Sequence, residues 1–302
     1  MGAITYKSSV ALATFNGEQY IRKQLQSLYE QSEQPYEVII SDDGSKDSTI
    51  DIVRNFINEH NLENWKLLQN NGEHGVGNNF LNAMKHCTGD IVFLCDQDDI
   101  WLTDKIKSMV CLFGKGYSCV ISSMEYIDAD DKRLPISTAF TCKKDHVVTL
   151  NELLAVCSYL GMTAAFKRTV FENVDFTLWN ETSHDWALFV EALHEGNILF
   201  YGKCLQYHRM HAENASGISG ESAAEKRINL LNRQVQHITP IKQLHWVSVE
   251  QKSTCDEYIQ FINNRIGWIK RHKPLSIVLN IGQYRARNYT SRNMLADMKN
   301  AL

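Results

Sequence analysis

Asp90-Ile91-Val92-Phe93-Leu94-Cys95-Asp96-Gln97-Asp98-Asp99 is the stretch whose reading decides the fold. Ile91 to Cys95 is a short, uninterrupted apolar run, the pattern of a strand covered on both faces of a sheet. Its C-terminal end carries three carboxylates in four residues, and no Lys or Arg follows before Lys105. Like charges this close repel and raise each other's pKa, so a cation held between them is one way to keep them together. Hard oxygen ligands suit Mg²⁺ or Mn²⁺, which leave positions for water and substrate phosphate. Asp96 and Asp98 are therefore candidate ligands of an ion that would grip a diphosphate. The same residues also suit an ordinary strand-to-helix loop with an Asp as helix cap.

The residues before this stretch repeat one pattern. Ser9 to Thr14 predicts a first buried strand, ending in Phe15-Asn16-Gly17-Glu18. Ile21, Leu25, Leu28 and Tyr29 then recur at helical spacing until Gln34-Pro35 breaks the helix. Tyr36 to Ser41 is a second strand that stops at Asp42-Asp43-Gly44-Ser45-Lys46-Asp47. A helix through Ile50, Val53, Phe56 and Ile57 follows, then a strand from Trp65 to Gln69 and a helix carrying Phe80, Leu81 and Met84. Strand alternating with helix predicts a parallel sheet with helices on both faces. Ligands of such sheets bind beyond the carboxyl ends of the strands. Polar clusters fall there four times: Thr14 to Glu18, Asp42-Asp43, Asn70 to Asn79 and Asp96 to Asp99.

Composition sets bounds on the whole. With 44% hydrophobic and 22% charged residues, the 302-residue chain is ordinary for a soluble globular protein of one large domain, or one domain plus an extension. A formal charge of −4 gives no sign of a nucleic-acid partner. No apolar run reaches the length of a membrane span, which excludes a processive membrane synthase, and the first residues lack the charged and apolar regions of a secretory signal. The eight cysteines form no Cys-x-x-Cys pair, and Cys87, Cys95, Cys119 and Cys157 sit among apolar residues. They read as reduced core residues of a cytosolic protein, without zinc or disulfides. No Gly-x-Gly-x-x-Gly follows the first strand and no Gly-Lys-Ser/Thr loop occurs, so a nucleotide is not held as in a dehydrogenase or P-loop enzyme.

Thr14-Phe15-Asn16-Gly17-Glu18, Ser41-Asp42-Asp43-Gly44-Ser45 and Gly89 through Asp99-Ile100-Trp101 together resemble family 2 glycosyltransferases of the GT-A fold. That is the Rossmann-like, mixed-sheet fold of nucleotide-diphospho-sugar transferases, and the similarity spans about residues 9 to 217. Within the family, Asp96 to Trp101, His184-Asp185-Trp186 and Tyr207 to Asn214 resemble bacterial rhamnosyltransferases of surface polysaccharide assembly. The resemblance implies a catalytic domain over 1–217 and a helical extension over 218–302. It implies that Thr14, Asn16, Glu18, Asp42 and Asp43 serve the nucleoside, that Asn78 and Asn79 line the donor sugar, and that Asp96 and Gln97 face the nucleotide. Asp96 and Asp98 become the metal-binding Asp-x-Asp, with His211 completing the shell. A lone His near a strand end is as readily a plain hydrogen-bonding residue. The implied donor is dTDP-rhamnose first and UDP-hexose next, and the implied acceptor is a lipid-linked saccharide.

Farther along, Tyr117 to Ser122 predicts a strand, Leu150 to Ala155 a helix, and Gly161 to Phe166 a strand through the floor of the site. The stretch 124–148 has weak periodicity, and the resemblance implies an acceptor-side loop or hairpin there. His184-Asp185-Trp186 opens a helix with an apolar face of Leu188, Phe189, Ala192 and Leu193. By resemblance Asp185 is the general base that takes the acceptor hydroxyl's proton. It equally fits a first-turn acid favouring the helix dipole, behind a Thr182 or Ser183 cap. His184, Trp101 and Trp186 are acceptor-side candidates. The two indoles could stack on a sugar or pack at the rim. Asp96-x-Asp98 also suits a phosphatase of the haloacid-dehalogenase type, although Ile100 stands where that pattern wants Thr or Ser. A non-catalytic saccharide-binding relative is the third reading.

The last segment is basic. From Arg265 to Leu302, eight Lys or Arg face one acid, Asp297, a balance of +7 that leaves −11 for the rest. Helical spacing of Ile259, Ile262, Ile266 and Ile269, followed by Trp268 to Leu275 with its mixed basic and apolar groups, fits an interfacial helix on an anionic membrane. The inner face of the cell membrane is the expected place. The other reading packs these helices on the catalytic domain or on a second subunit of a homodimer.

Overall fold

Ile91–Asp96 forms the expected strand, and it lies inside a ten-stranded mixed sheet in the computed structural model of the chain. The structure describes residues 5–141, 143–156, 159–179, 184–211 and 222–302. Its strands are β1 (Ser8–Thr14), β2 (Glu37–Asp42), β3 (Trp65–Gln69), β4 (Ile91–Asp96), β5 (Ile100–Trp101), β6 (Tyr117–Ile127), β7 (Arg133–Leu134), β8 (His146–Val148), β9 (Ala164–Lys167) and β10 (Asn197–Arg209). Its α-helices are α1 (Ile21–Tyr29), α2 (Thr49–Glu59), α3 (Val76–Lys85), α4 (Lys105–Phe113), α5 (Leu150–Val156), α6 (Arg168–Asn173), α7 (His184–Glu195), α8 (Ala223–Ile238), α9 (Val249–Lys270), α10 (Pro274–Leu279), α11 (Ile281–Ala286) and α12 (Ser291–Ala301). Cys157, the proposed Thr182 or Ser183 cap, the 212–214 end of the Tyr207 motif and the 217/218 boundary lie outside the described residues.

The chain folds as two compact units. The first comprises Met1–Val147, Leu160–Val174 and Glu191–Ala215; the second comprises Val148–Tyr159, Asp175–Val190 and Ser216–Leu302.

In the first unit the strand order is β3-β2-β1-β4-β9-β6-β10-β5, with β7 beside β6. β1, β2, β3 and β4 run parallel, as the strand–helix alternation predicts. β9 is antiparallel to both β4 and β6, which makes the sheet mixed. Alternate residues on neighbouring strands explain the two covered faces. Val10, Leu12, Val38, Ile40, Ile91, Phe93 and Cys95 join Ile21, Leu25 and Leu28 of α1, Val53 and Phe56 of α2, and Ile106 and Met109 of α4 in one core. Ala11 and Ile39 point the other way, where α3 packs on β1 and β2.

At the amino end of these strands, Glu37 ties three segments. Its carboxylate accepts hydrogen bonds from Ser9 Oγ at 2.7 Å, Thr88 N at 2.5 Å and Thr88 Oγ1 at 2.9 Å. Burial alone would raise its pKa, but the Ser9 and Thr88 hydrogen bonds, aided by Lys66, hold it below the ordinary glutamate value.

The stretch 124–148 contains the hairpin. β6 runs on to Ile127, turns over Asp128, and returns as β7, with Tyr126 opposite Leu134. Asp128 Oδ1 accepts from Asp130 N and Lys132 N, and Asp131 takes a left-handed φ of 67° to close the turn. β10 carries a bulge between Tyr201 and Tyr207. Gly202 lies in it because a Cβ there would stand 2.4 Å from the backbone carbon of Lys143.

In the second unit, α8, α9 and α12 each begin with a capping box, on Ser222–Glu225, Ser248–Gln251 and Thr290–Asn293 respectively. Asp297 is fully buried there. It binds Arg265 Nε at 2.7 Å and Arg227 Nε at 2.6 Å, and accepts from Tyr284 Oη at 2.5 Å. Arg265 is likewise buried and lies over the Tyr289 ring at 4.3 Å. The basic tail is therefore not solvated throughout: Arg265 and Asp297 belong to this unit's interior.

Cys87, Cys95, Cys119 and Cys255 are buried free thiols. Burial pushes the Cys87 thiol up to about 12 and that of Cys255 to about 11, so neither carries a thiolate at neutral pH. Among the described residues no helix is long and apolar enough to cross a membrane.

Candidate active site

Register alone brings the polar clusters together. Thr14 at the end of β1 pairs with Asp42 at the end of β2, Asp42 pairs with Gln69 at the end of β3, and Ala13 pairs with Asp96 at the end of β4. The loops after four parallel strands therefore leave one carboxyl edge, where open α/β sheets bind ligands.

These loops are laced to each other. Asn16 N donates to Ser45 Oγ and Asn16 Oδ1 accepts from Lys46 N, with Asn16 itself at φ 45°. Glu18 N donates to Asp47 Oδ2, and Glu18 Oε2 accepts from Ser48 N. Gln97 accepts from Phe15 N at 2.8 Å and donates to Phe15 O at 3.0 Å, clasping the β1 loop from the β4 side. Gly17 makes room for this clasp, since a Cβ there would stand 2.2 Å from Gln97 Oε1. Gln97 is thus a positioning residue, with both ends of its amide spent on the backbone of Phe15.

The two acids after β2 act on their own loops. Asp42 is buried and accepts from Thr14 Oγ1, Gly44 N, Ser45 N and Ser45 Oγ. Asp43 accepts from Asn70 Nδ2 at 2.7 Å and Gly75 N at 2.8 Å, and its Oδ1 lies 3.0 Å from His74 Nδ1. Asn79 is buried and donates to Thr14 O, whereas Asn78 is part-exposed, with long contacts to Glu73 and His74. Thr14, Asp42 and Asn79 accordingly shape the edge, and Asn16, Glu18, Asp43 and Asn78 keep atoms nearer its surface.

Asp98 and His211 meet, Nε2 to Oδ2, at 2.8 Å. Burial, with Asp99 close by, raises the Asp98 pKa, and the interaction with His211 opposes the rise. Asp99 is the structural acid of the trio. It is buried and accepts from Gln206 Nε2 and Arg209 N, with His208 Nδ1 at 2.8 Å. Burial alone would lower the His208 pKa, but the charge and hydrogen bond of Asp99 raise it to about 9. Asp96 is part-buried at the end of β4. Among the described residues no three such side chains assemble as a ready metal site. Asp96, Asp98 and His211 are therefore not preassembled as a triad among the described residues, although Asp98 and His211 are in direct contact. A buried, proton-seeking carboxylate beside an imidazole fits a divalent ion that draws its remaining ligands from diphosphate and water.

Two expected acceptor-side residues are corrected. Trp101 is 2% exposed and packs against Phe93 at 5.6 Å, with the Lys105 ammonium 3.9 Å from its ring centroid. Trp186 is also 2% exposed; its indole donates to His237 O at 2.8 Å and stacks on the His237 ring. Both indoles are packing residues, because strand β5 and the start of α7 turn them inward. His184 and Asp185 stand at the first turn of α7 in the second unit, both part-buried. Asp185 Oδ1 accepts from Trp186 N at 2.9 Å. Desolvation pushes the His184 imidazole below its ordinary pKa, against the pull of Asp185.

Three further residues, Arg209, Lys105 and Phe15, shape this edge. Arg209 is fully buried. It donates to the carbonyls of Asp98, Asp128 and Ala129, pairs with Asp131 at 2.5 Å and lies over the Tyr20 ring at 4.7 Å. Tyr20 in turn sits 4.8 Å from the His211 ring. Lys105 is buried under β4, bonded to Met162 O and Gln206 Oε1, and burial pulls its ammonium down to about 7. Phe15 is 51% exposed, an aromatic face standing open at the edge. The available signal for Lys105 is a first-turn Lys on an apolar helix face, whereas Arg209 sits in a polar strand end, Gln206-Tyr207-His208-Arg209, that does not single it out. Nothing distinguished Phe15 from Trp101.

A mixed sheet with its acids and amides at one carboxyl edge is the nucleotide-sugar transferase arrangement, GT-A. Residues 9–175 match the Glycosyl transferase family 2 description, and the chain belongs to that family. The chain is 28% identical over 272 residues to the dTDP-rhamnosyl transferase RfbG of Shigella flexneri, an alignment covering 85% of this chain and 88% of that protein. It is 24% identical to a GalNAc(5)-diNAcBac-PP-undecaprenol beta-1,3-glucosyltransferase of Campylobacter jejuni, covering 89% and 85% respectively. Among solved structures, S. aureus TarS in complex with UDP-GlcNAc superposes with a TM-score of 0.62 at 20% identity, covering 85% of this chain and 72% of that one. The mannosyltransferase PcManGT of Pyrobaculum calidifontis, in complex with GDP-Man and Mn2+, gives 0.60 at 18% identity, covering 99% and 86%. Family membership sets the phosphatase reading aside.

Proposed function

We propose that this family 2 glycosyltransferase is an inverting, metal-dependent enzyme of bacterial surface polysaccharide synthesis. It transfers a sugar, rhamnose favoured, from a nucleotide donor to a lipid-linked saccharide. The Asp98–His211 contact beside the carboxyl edge of four parallel strands carries the reading, because it supplies a cation-seeking pair where a diphosphate would lie. The RfbG likeness along most of both chains supports dTDP-rhamnose as donor, with UDP-hexose second. The Campylobacter relative, named for an undecaprenol-linked acceptor, supports the acceptor class.

In this mechanism Asp43, Asn16 and Glu18 bind the nucleoside from loops already fixed to each other, and Phe15 offers its exposed face to the base. Asn78 faces the sugar. Asp98 and His211, with Asp96 from the end of β4, would hold Mg²⁺ or Mn²⁺. The ion, when bound, neutralises charge on the departing diphosphate. Asp185 takes the proton of the acceptor hydroxyl as its oxygen attacks the anomeric carbon, and the carbon–oxygen bond to the diphosphate breaks with its electron pair. Direct displacement inverts the anomeric centre.

The test is transfer from dTDP-rhamnose and from UDP-hexoses to an undecaprenyl-diphosphate saccharide, with and without Mn²⁺, for wild type and Asp185→Asn. Transfer by Asp185→Asn should fall by about 10²- to 10⁴-fold with nucleotide affinity near wild type. An active Asn variant removes Asp185 from the mechanism. A wild-type protein that binds glycans but releases no nucleotide from any donor is a non-catalytic saccharide-binding relative.

A further inference from the structure

The second unit leaves an apolar ridge uncovered. Leu275, Val278 and Leu279 follow the i, i+3, i+4 spacing that places side chains on one helix face, and they are 76%, 43% and 83% exposed. Ile277, on the opposite face of α10, is fully buried and anchors the helix to its unit. Ile281, at the start of α11, extends the exposed ridge. Large apolar side chains this bare are costly in water unless something covers them.

The charges around the ridge select what covers it. Lys270, Arg271 and Lys273 precede α10 and Arg285 follows it on α11, all exposed. From Tyr258 to Leu302 the one side-chain carboxylate is Asp297, and it is buried against Arg265 and Arg227. The exposed surface of this segment is thus cationic and bears no acidic side chain. A second copy docked symmetrically on the ridge would bring these cations face to face, which opposes self-association. An anionic bilayer supplies both things the surface lacks, hydrocarbon for the leucines and phosphate for the ammonium and guanidinium groups.

We infer that the α10 ridge is a monolayer-inserting wedge: Leu275, Val278 and Leu279 enter the acyl boundary of an anionic leaflet while Lys270, Arg271, Lys273 and Arg285 lie at the headgroups. This moves the attachment from the continuous basic tail of the sequence to one short helix and its flanks. The wedge rests on the second unit alone, so its failure leaves the transferase reading where it stands.

The experiment is flotation of the full chain with vesicles of phosphatidylcholine alone and with 30% phosphatidylglycerol (about a physiological anionic fraction), at low and high salt. Wild type should float with the anionic vesicles, and less so at high salt. Leu275→Ser/Leu279→Ser should weaken partitioning by about tenfold, and Lys270→Gln/Arg271→Gln/Lys273→Gln by about a hundredfold. Both variants should keep wild-type nucleotide affinity and unfolding midpoint. No wild-type flotation at low salt, or wild-type flotation by the leucine variant, overturns the wedge. So does a solution dimer that the leucine variant converts to monomer, because the ridge would then be covered by a second copy.

Discussion

Gln97 illustrates how a residue can serve the candidate site without facing a ligand. Its amide accepts from Phe15 N and donates to Phe15 O, and so fixes the loop that carries the exposed Phe15 ring. Substitution with Ala removes both bonds and leaves the strands intact. Gln97→Ala should raise the dissociation constant for a nucleoside diphosphate by about tenfold, equivalent to about 1.4 kcal/mol. Isothermal titration would measure it, with an unfolding midpoint close to wild type; unchanged affinity would confine Gln97 to packing. Family motifs, by resemblance, put Asp98 and His211 in one neighbourhood, and the two side chains touch. They did not separate Asp42, whose oxygens are consumed by Thr14, Gly44 and Ser45, from Asp43, which lies nearer the surface. Consecutive acids look alike until the turn between them is known. Trp101 and Phe15 pose the same problem: both are aromatic at a strand end, and only the path of the backbone buries one and exposes the other.

Among the elements, legibility followed length and periodicity. The run Ile91 to Cys95, the spacing of Ile21, Leu25 and Leu28, and Trp65 to Gln69 each became the expected strand or helix. The hairpin of β6 and β7 was open to resemblance, as a loop or hairpin, but not to periodicity, because β7 has only two residues and the turn depends on Asp128 accepting from two amides. Glu37 was equally silent, an acid at a strand start whose partners lie in distant segments. Its depressed pKa makes it a test of how β1, β2 and the turn before β4 hold together. A carboxyl held below its unfolded value stabilises the fold fully above the unfolded pKa, about 4.3, and loses that contribution as pH falls through the folded value. Wild-type stability should therefore decline below about pH 5. Glu37→Gln should cost about 1–3 kcal/mol at pH 7, with the gap to wild type closing as the pH is lowered. Denaturant titrations at several pH values would show it. A gap independent of pH would mean that the loss is one of shape alone.

On the scale of the whole molecule, charge counting without helix faces does not separate the buried Arg265 and Asp297 from the exposed cations of the tail. Arg265 lies three residues after Ile262 and four before Ile269, on the apolar stripe of α9, and its partner Asp297 is the lone acid of the segment. That spacing was visible, but its meaning required α12 to be seen against α9. Asp297→Asn leaves the buried Arg265 guanidinium and the part-buried Arg227 guanidinium without their counter-charge and should destabilise the second unit by roughly 3–5 kcal/mol. Calorimetry should then split a single transition or move its lower part, while an unshifted trace would show that water reaches the cluster.

The division of the second unit into separated stretches of chain also bears on how the protein is made. Trp186, Leu188 and Phe189 leave the ribosome long before His237, the residue on which the Trp186 indole rests. At roughly ten residues per second, the helices from 222 onward emerge over several further seconds. For that interval the Trp186 indole of a nascent α7 awaits the carbonyl and ring of His237, so a holdase chaperone is expected on the polysome at this stage of synthesis.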